Sequence, residues 1–198
     1  MVLDMIATSP RGAVLPPIVR TEDINAGRFV LRALRRSDAG LIGHYTGDKR
    51  LADATQSIPH PLPPGAAEAF VARAMSAEAK GLHWVMDGTE TGLPEVLGVL
   101  SLKPMECQRA KGGQSEVAYW VAPMFWNTGY ASEAVRELIA ANPLGDQTYF
   151  AEVFQDNPGS ARVLTNAGFQ YLGDAESFSV AREAKVLTWT YMLICTRK

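Results

Sequence analysis

Apolar and polar residues alternate along Ser115 to Val121, with Val117, Tyr119 and Val121 on one side and Glu116, Ala118 and Trp120 on the other. A period of two predicts a strand. Shortly afterwards the period becomes helical, through Ala131, Ala134, Val135, Leu138 and Ile139, with Pro143 just beyond the end. Upstream, Arg28 to Arg32 is a β-branched and aromatic run that predicts a first strand. Ser37-Asp38 then reads as an N-cap for a helix carrying Leu41, Ile42 and Tyr45. The prolines at 59, 61, 63 and 64 forbid helix there, and Ala66 to Lys80 predicts a helix stopped by Gly81.

His83–Met86 and Val96–Lys103 predict two strands around a Gly-rich turn at Asp87–Gly92. Tyr149–Phe154 predicts another strand. Asn157 as N-cap and Pro158 at N1 start a helix whose apolar face is Val163, Leu164 and Ala167, ended by Gly168. Phe169–Leu172 and Val186–Cys195 complete the set as strands. The pattern is a mixed α/β domain with helices interleaved around one sheet.

Composition narrows the possibilities. A chain of 198 residues fits one domain, here 23–198, preceded by an arm at 1–22 containing Pro10, Gly12, Pro16 and Pro17 without periodicity. The hydrophobic fraction of 47% suffices for a packed core, and the net charge of −2 gives no reason to expect nucleic acid or an anionic membrane as partner. Cys107 and Cys195 lie far apart, with no CxxC and no Cys/His cluster, which argues against a disulfide framework or a metal site and suits a reducing cytosol. No apolar run approaches the roughly 18 residues of a membrane span, and Asp4 with no cationic start makes a poor signal peptide. The expected location is cytoplasmic.

The chemistry concentrates in Trp126-Asn127-Thr128-Gly129-Tyr130-Ala131, between a strand and an amphipathic helix. Such a loop presents unpaired N–H groups at the positive end of a helix dipole, a place for phosphate. Gly129 allows close backbone approach and Ala131 keeps the first turn small. Taken alone, the hexapeptide also fits an ordinary strand-to-helix turn. It has no Lys-Ser/Thr pair and only one Gly, which excludes a P-loop and a dinucleotide fingerprint. Asn157 and Ser160 can serve a helix N-terminus or a ligand lying across it.

These segments together resemble the GNAT superfamily of acyl-CoA-dependent N-acetyltransferases, and more narrowly its RimJ/RimL-type branch. The resemblance is carried by Trp126–Ala131, Glu116-Val117-Ala118-Tyr119-Trp120, and Asn157…Ser160…Val163-Leu164…Gly168-Phe169. Arg28–Arg32 with Ser37-Asp38, and His60-Pro61 before an Ala/Glu-rich helix, extend it over about residues 23 to 195. It implies a central mixed, mostly antiparallel sheet with helices on both faces and a splayed parallel strand pair. It also implies acetyl-CoA as cosubstrate, a primary amine as acceptor, no metal, and direct transfer in a ternary complex. Superfamily members often pair through their C-terminal strands, so a homodimer is implied as well.

Residue by residue, the resemblance gives the diphosphate to Trp126, Asn127, Thr128, Gly129, Tyr130 and Ala131, and the pantetheine to Val121, Ala122 and Asn157. Around Val121-Ala122, where relatives carry a bulge, one N–H would polarise the thioester oxygen. Glu116 matches a base used by histone-type relatives, its other reading being a surface strand glutamate. Ser160 inherits the general-acid role, because the position where many relatives carry Tyr is Leu164. Arg162 meets a CoA phosphate or simply faces solvent. Asn127 and Thr128 depart from the family's usual Gly and Lys, which shifts anion binding towards backbone N–H groups. The missing Tyr keeps a second class open: a non-catalytic acyl-CoA-binding sensor on the same fold.

Overall fold

The computed structural model describes residues 21–105 and 113–195, so nearly all of the arm at 1–22, and Cys107, lie outside the described residues. Strands β1 (Ile24–Asn25), β2 (Val30–Ala33), β3 (Leu82–Asp87), β4 (Gly98–Pro104) and β5 (Gly113–Val121) follow one another across a sheet. Beyond them lie β6 (Asp146–Phe154), β8 (Ala184–Ile194) and β7 (Gln170–Ser179), giving the order β1-β2-β3-β4-β5-β6-β8-β7. Every neighbouring pair is antiparallel except β5–β6, which is parallel. A parallel pair needs a crossover, supplied by α4 (Tyr130–Ala141).

Helices cover both faces. Tyr130, Ala134, Val135 and Leu138 of α4, with Ala161 and Leu164 of α5 (Pro158–Asn166), pack on Leu100, Val117, Tyr149 and Ala151. On the other face, α1 (Ala39–Thr46), α2 (Lys49–Asp53) and α3 (Ala66–Ala74) bring Ile42, Leu51 and Val71 against Val85 and Val99. Strand alternation therefore sends Val117 and Trp120 into different cores, as the period of two requires.

Several local expectations are corrected. Helix α3 stops at Ala74 rather than Lys80, where the following residues have no apolar face to bury and Ser76 Oγ turns back to Arg73 O (2.9 Å). Gly81 is not its cap; a Cβ there would come 2.8 Å from Leu102 O, so glycine serves the close approach of β3 to β4. Asp38 makes no side-chain cap on α1. Its carboxylate instead accepts from Arg35 N (2.6 Å) and from Arg32 Nη1 and Nη2 (2.9 and 2.8 Å). Arg32 also meets Asp87 (2.6 Å), forming a buried ionic knot that ties β2 to β3 and to the turn before α1. The short α2 was not expected, although Asp48 accepts from Arg50 N at its start. Strand β7 runs on to Ser179, its polar residues carried by pairing with β8 and a register shift between Tyr171 and Gly173. No helix among the described residues is long and apolar enough to cross a membrane.

Candidate active site

Pairing between β5 and β6 ends at Glu116 opposite Phe150, although β5 continues to Val121 and β6 to Phe154. Beyond that point the two strands part, and alternate backbone groups of β5 face the gap instead of a neighbour. The bulge expected around Val121-Ala122 is not present: β5 keeps unbroken register on β4 from Pro104–Ser115 to Gly98–Val121, and the irregularity of β5 falls between Gly113 and Gln114, against β6. Ala122 is fully buried and its N–H donates to Leu97 O (2.9 Å), which leaves Val121 as the member of that pair at the opening.

The loop after β5 is shaped by its backbone. Asn127 has φ +61° and Gly129 φ +87°, both left-handed. Asparagine is among the few non-glycine residues that accept this region, so it keeps the conformation that glycine would give. Trp126 Nε1 donates to Val121 O (2.7 Å), tying the loop to the strand end. Thr128 is exposed, with its polar groups turned back onto the loop: its hydroxyl donates to Phe125 O (2.6 Å) and its carbonyl accepts from Arg28 Nη1 (3.1 Å). Tyr130 contributes backbone only, because its ring is buried edge-on to Phe29 and Phe125 beneath the Arg28 guanidinium. Arg28 in turn pairs with Glu133 on α4 (2.6 Å), bracing the loop from behind.

A cavity of about 570 Å³ lies between this loop, α5 and the far wall formed by α2. Val121, Trp126, Asn127, Gly129, Tyr130, Ala131, Asn157, Ser160 and Arg162 line it; Ala122 and Thr128 do not. Arg50 and Arg182 on its wall are already paired with Asp48 and Asp156, whereas Arg162 is exposed and forms no ion pair among the described residues.

At the inner end, Asn157 caps α5 by accepting from Ser160 N (3.1 Å), leaving its amide N–H groups free. Tyr119 Oη lies 3.0 Å from Ser160 O and 2.9 Å from Ser160 Oγ. Burial raises the Tyr119 phenol pKa, outweighing the opposing Ser160 hydrogen bond. Leu164 is fully buried in the core, so a phenol reaches Ser160 from β5 rather than from α5. Strand parity places Tyr119 on one side of β5 but does not show a hydroxyl crossing to the next helix.

A second cavity, about 700 Å³, opens on the α1–α3 side of the sheet. Glu116 lines it and is absent from the first, whereas Ala54, Thr55, Tyr119, Trp120, Asn157 and Ser160 line both. Glu152, which sequence reasoning missed, also lines it, accepting from Gln56 Nε2 (3.1 Å) and from Ser177 Oγ. His83 stands there against Ser101 Oγ (2.8 Å) and Phe70, its pKa lowered by burial.

Residues 28–170 match the family model described as Acetyltransferase (GNAT) domain. The chain belongs to this family, and the class of protein is an N-acetyltransferase. It is 24% identical over 193 residues to the uncharacterized N-acetyltransferase YoaA of Bacillus subtilis, covering 92% of this chain and 99% of the relative. A solved RimL, the ribosomal L7/L12 alpha-N-protein acetyltransferase in complex with coenzyme A, superposes with TM-score 0.71 at 17% identity over 87% of this chain and 98% of its own. Mycobacterium smegmatis RimJ, in complex with CoA-disulfide, superposes with TM-score 0.68 at 18% identity over 88% and 86%. These neighbours share the fold of this chain.

Proposed function

We propose that this chain moves an acetyl group from acetyl-CoA directly to a primary amine, a protein α-amine or a small molecule, with both substrates bound at once. The observation that carries this reading is the meeting of two cavities at Tyr119, Asn157 and Ser160, one beside the phosphate-type loop and one beside Glu116. Two substrates entering from opposite sides reach each other there, and positioning supplies much of the acceleration.

The left-handed loop at Asn127–Gly129 and the first turn of α4 offer N–H groups to the diphosphate, with Arg162 available to another phosphate. The unpaired side of β5 accepts the pantetheine as an added strand, helped by the Asn157 amide. A lysine-like amine has pKa about 10.4 and must lose a proton before it attacks. Glu116 takes that proton directly or through water, and Glu152 offers a second carboxylate in the same cavity. A Val121 backbone group stabilises the oxyanion, and Ser160 donates a hydrogen bond to the departing sulfur, which leaves as a thiolate while the amine proton rests on Glu116. A thiol, with pKa about 8.5, is a stronger acid than the buried phenol, so Tyr119 is no net proton source. Its contact orients Ser160.

The test is thiol release from acetyl-CoA across an amine panel, with calorimetric titration of CoA. Glu116→Gln is expected to lower turnover by about a hundredfold, within the usual range for a general base, while CoA still binds. Tight CoA binding without turnover on any amine overturns transfer in favour of a sensor. No heat with CoA overturns the cofactor assignment itself.

A further inference from the structure

The acceptor cavity carries a charge pattern that its cofactor counterpart lacks. Among the described residues, Arg28, Arg32, Arg35, Lys49, Arg50 and Arg182 all stand in ion pairs, whereas Arg36, Arg73, Lys80, Lys103, Arg136, Arg162 and Lys185 stand in none. Of these unpaired cations the first cavity has Arg162 alone, whereas Arg73, Lys80 and Lys103 line the acceptor cavity together. They are brought there by three separate elements: the last turn of α3, the segment before β3, and β4. Gly81 makes the second approach possible, since a Cβ at that position would come 3.3 Å from Lys103 Cα.

The opposite sign lies further in. Lys103 stands directly across from Glu116 in the β4–β5 register without forming an ion pair, and Glu116 is level with Phe150 on β6. Glu152, two residues on, shares that face. Neighbouring strands are about 4.8 Å apart, so the face reads cation, carboxylate, carboxylate across three strands. Ser160 and Tyr119 line the same cavity.

We infer that the acceptor is an anionic amine, one whose reacting nitrogen goes to Glu116 and Glu152 while a carboxylate or phosphate several ångströms away meets Lys103, Lys80 and Arg73. The inference rests on the acetyl-transfer reading and names the substrate class of that same site. A polycationic amine would place like charge against that rim. Each exposed pair contributes little, so the preference is moderate, roughly fivefold to tenfold in kcat/KM from the rim as a whole.

The experiment compares matched amines with the full chain and acetyl-CoA: phenylalanine against its amide, phosphoethanolamine against ethanolamine, and Ser-Glu-Ala against Ser-Gln-Ala amide, with spermidine alongside. The anionic member of at least one pair is expected to be the better substrate, and which pair responds separates carboxylate from phosphate and free amine from peptide. That ratio is expected to collapse towards one in Lys103→Ala and in Arg73→Ala, with CoA affinity unchanged, and to shrink in high salt. Equal rates within every pair, or a preference for spermidine, overturn the inference and leave acetyl transfer standing. CoA binding with no turnover on any amine overturns the acetyl-transfer reading and the inference with it.

Discussion

The two cavities are built from different materials. Main-chain geometry shapes the first: a parting of β5 from β6, two left-handed residues, and the start of α4. The second is assembled from residues far apart in the chain, on α1, α3, β3, β4, β5, β6 and the segment after α2. A backbone site is written in a short stretch of sequence because neighbouring residues make it. A site of convergent side chains exists only after the sheet has assembled, and each contributor can change independently. The first construction suits a ligand common to a superfamily, the second a ligand that differs among its members.

The sharpest way to break this contrast is to disturb the backbone site at one position. Gly129 holds φ +87°, where a β-branched residue is strained by about 1–2 kcal/mol before any contact is counted. An ideal Cβ meets only Arg28 Nη2 at 3.4 Å, so the chief cost is conformational. With lost N–H alignment added, Gly129→Val is expected to weaken CoA binding by about a hundredfold by calorimetry. Unchanged affinity would remove the diphosphate from this loop. A comparable change in the acceptor cavity should leave CoA affinity alone.

Where the cavities meet, the contrast predicts coupling. Tyr119→Phe removes the hydroxyl 2.9 Å from Ser160 Oγ and leaves the ring packed against the core. We expect kcat to fall roughly tenfold, on the scale of a lost hydrogen bond made in the transition state, with acetyl-CoA Kd unchanged. If Tyr119 acts through Ser160, the same change in a Ser160→Ala background has no further effect. Additive losses would show that Tyr119 acts independently.

The legibility of each region follows from its construction. Gly129, Asn157 and Ser160 could be picked out because Gly at a helix start and Asn-Pro before a helix carry their geometry locally. The strand period of β5 was equally plain. Ala122 and Thr128 do not line the first cavity, because which way such a residue turns depends on partners such as Leu97 O and Arg28, remote in sequence. The length of α3 was overread because helix propensity continues past Ala74, where burial ends. Glu152, Tyr119 and the Arg73–Lys80–Lys103 rim left no local trace, since their proximity is a consequence of register and of one glycine at 81.

A smaller effect separates the cavities by pH. Burial lowers the pKa of His83, a wall residue of the second cavity. The unfolded chain then binds the proton more readily than the folded one, so stability is full above the unfolded value of about 6.5 and falls as pH drops below it. Thermal unfolding across pH 7.5 to 5 should show Tm decreasing in that window, and His83→Gln should remove this part of the slope. An unaltered slope in the variant would assign the pH dependence to other groups.

The smallest effect concerns Asn127, where relatives often carry glycine. At φ +61° asparagine accepts a conformation that glycine adopts without strain, and Asn127→Gly relieves that strain in the folded loop. It also enlarges the freedom of the unfolded chain by a similar amount, about 0.5–1 kcal/mol, so stability should barely move. If the loop binds through its main chain, CoA affinity should also stay within about twofold. Asn127→Val is the counterpart, because a β-branched residue resists positive φ and should weaken binding roughly tenfold. Equal losses from Gly and Val would mean that the Asn127 side chain itself holds the ligand, and the first cavity would then resemble the second in construction.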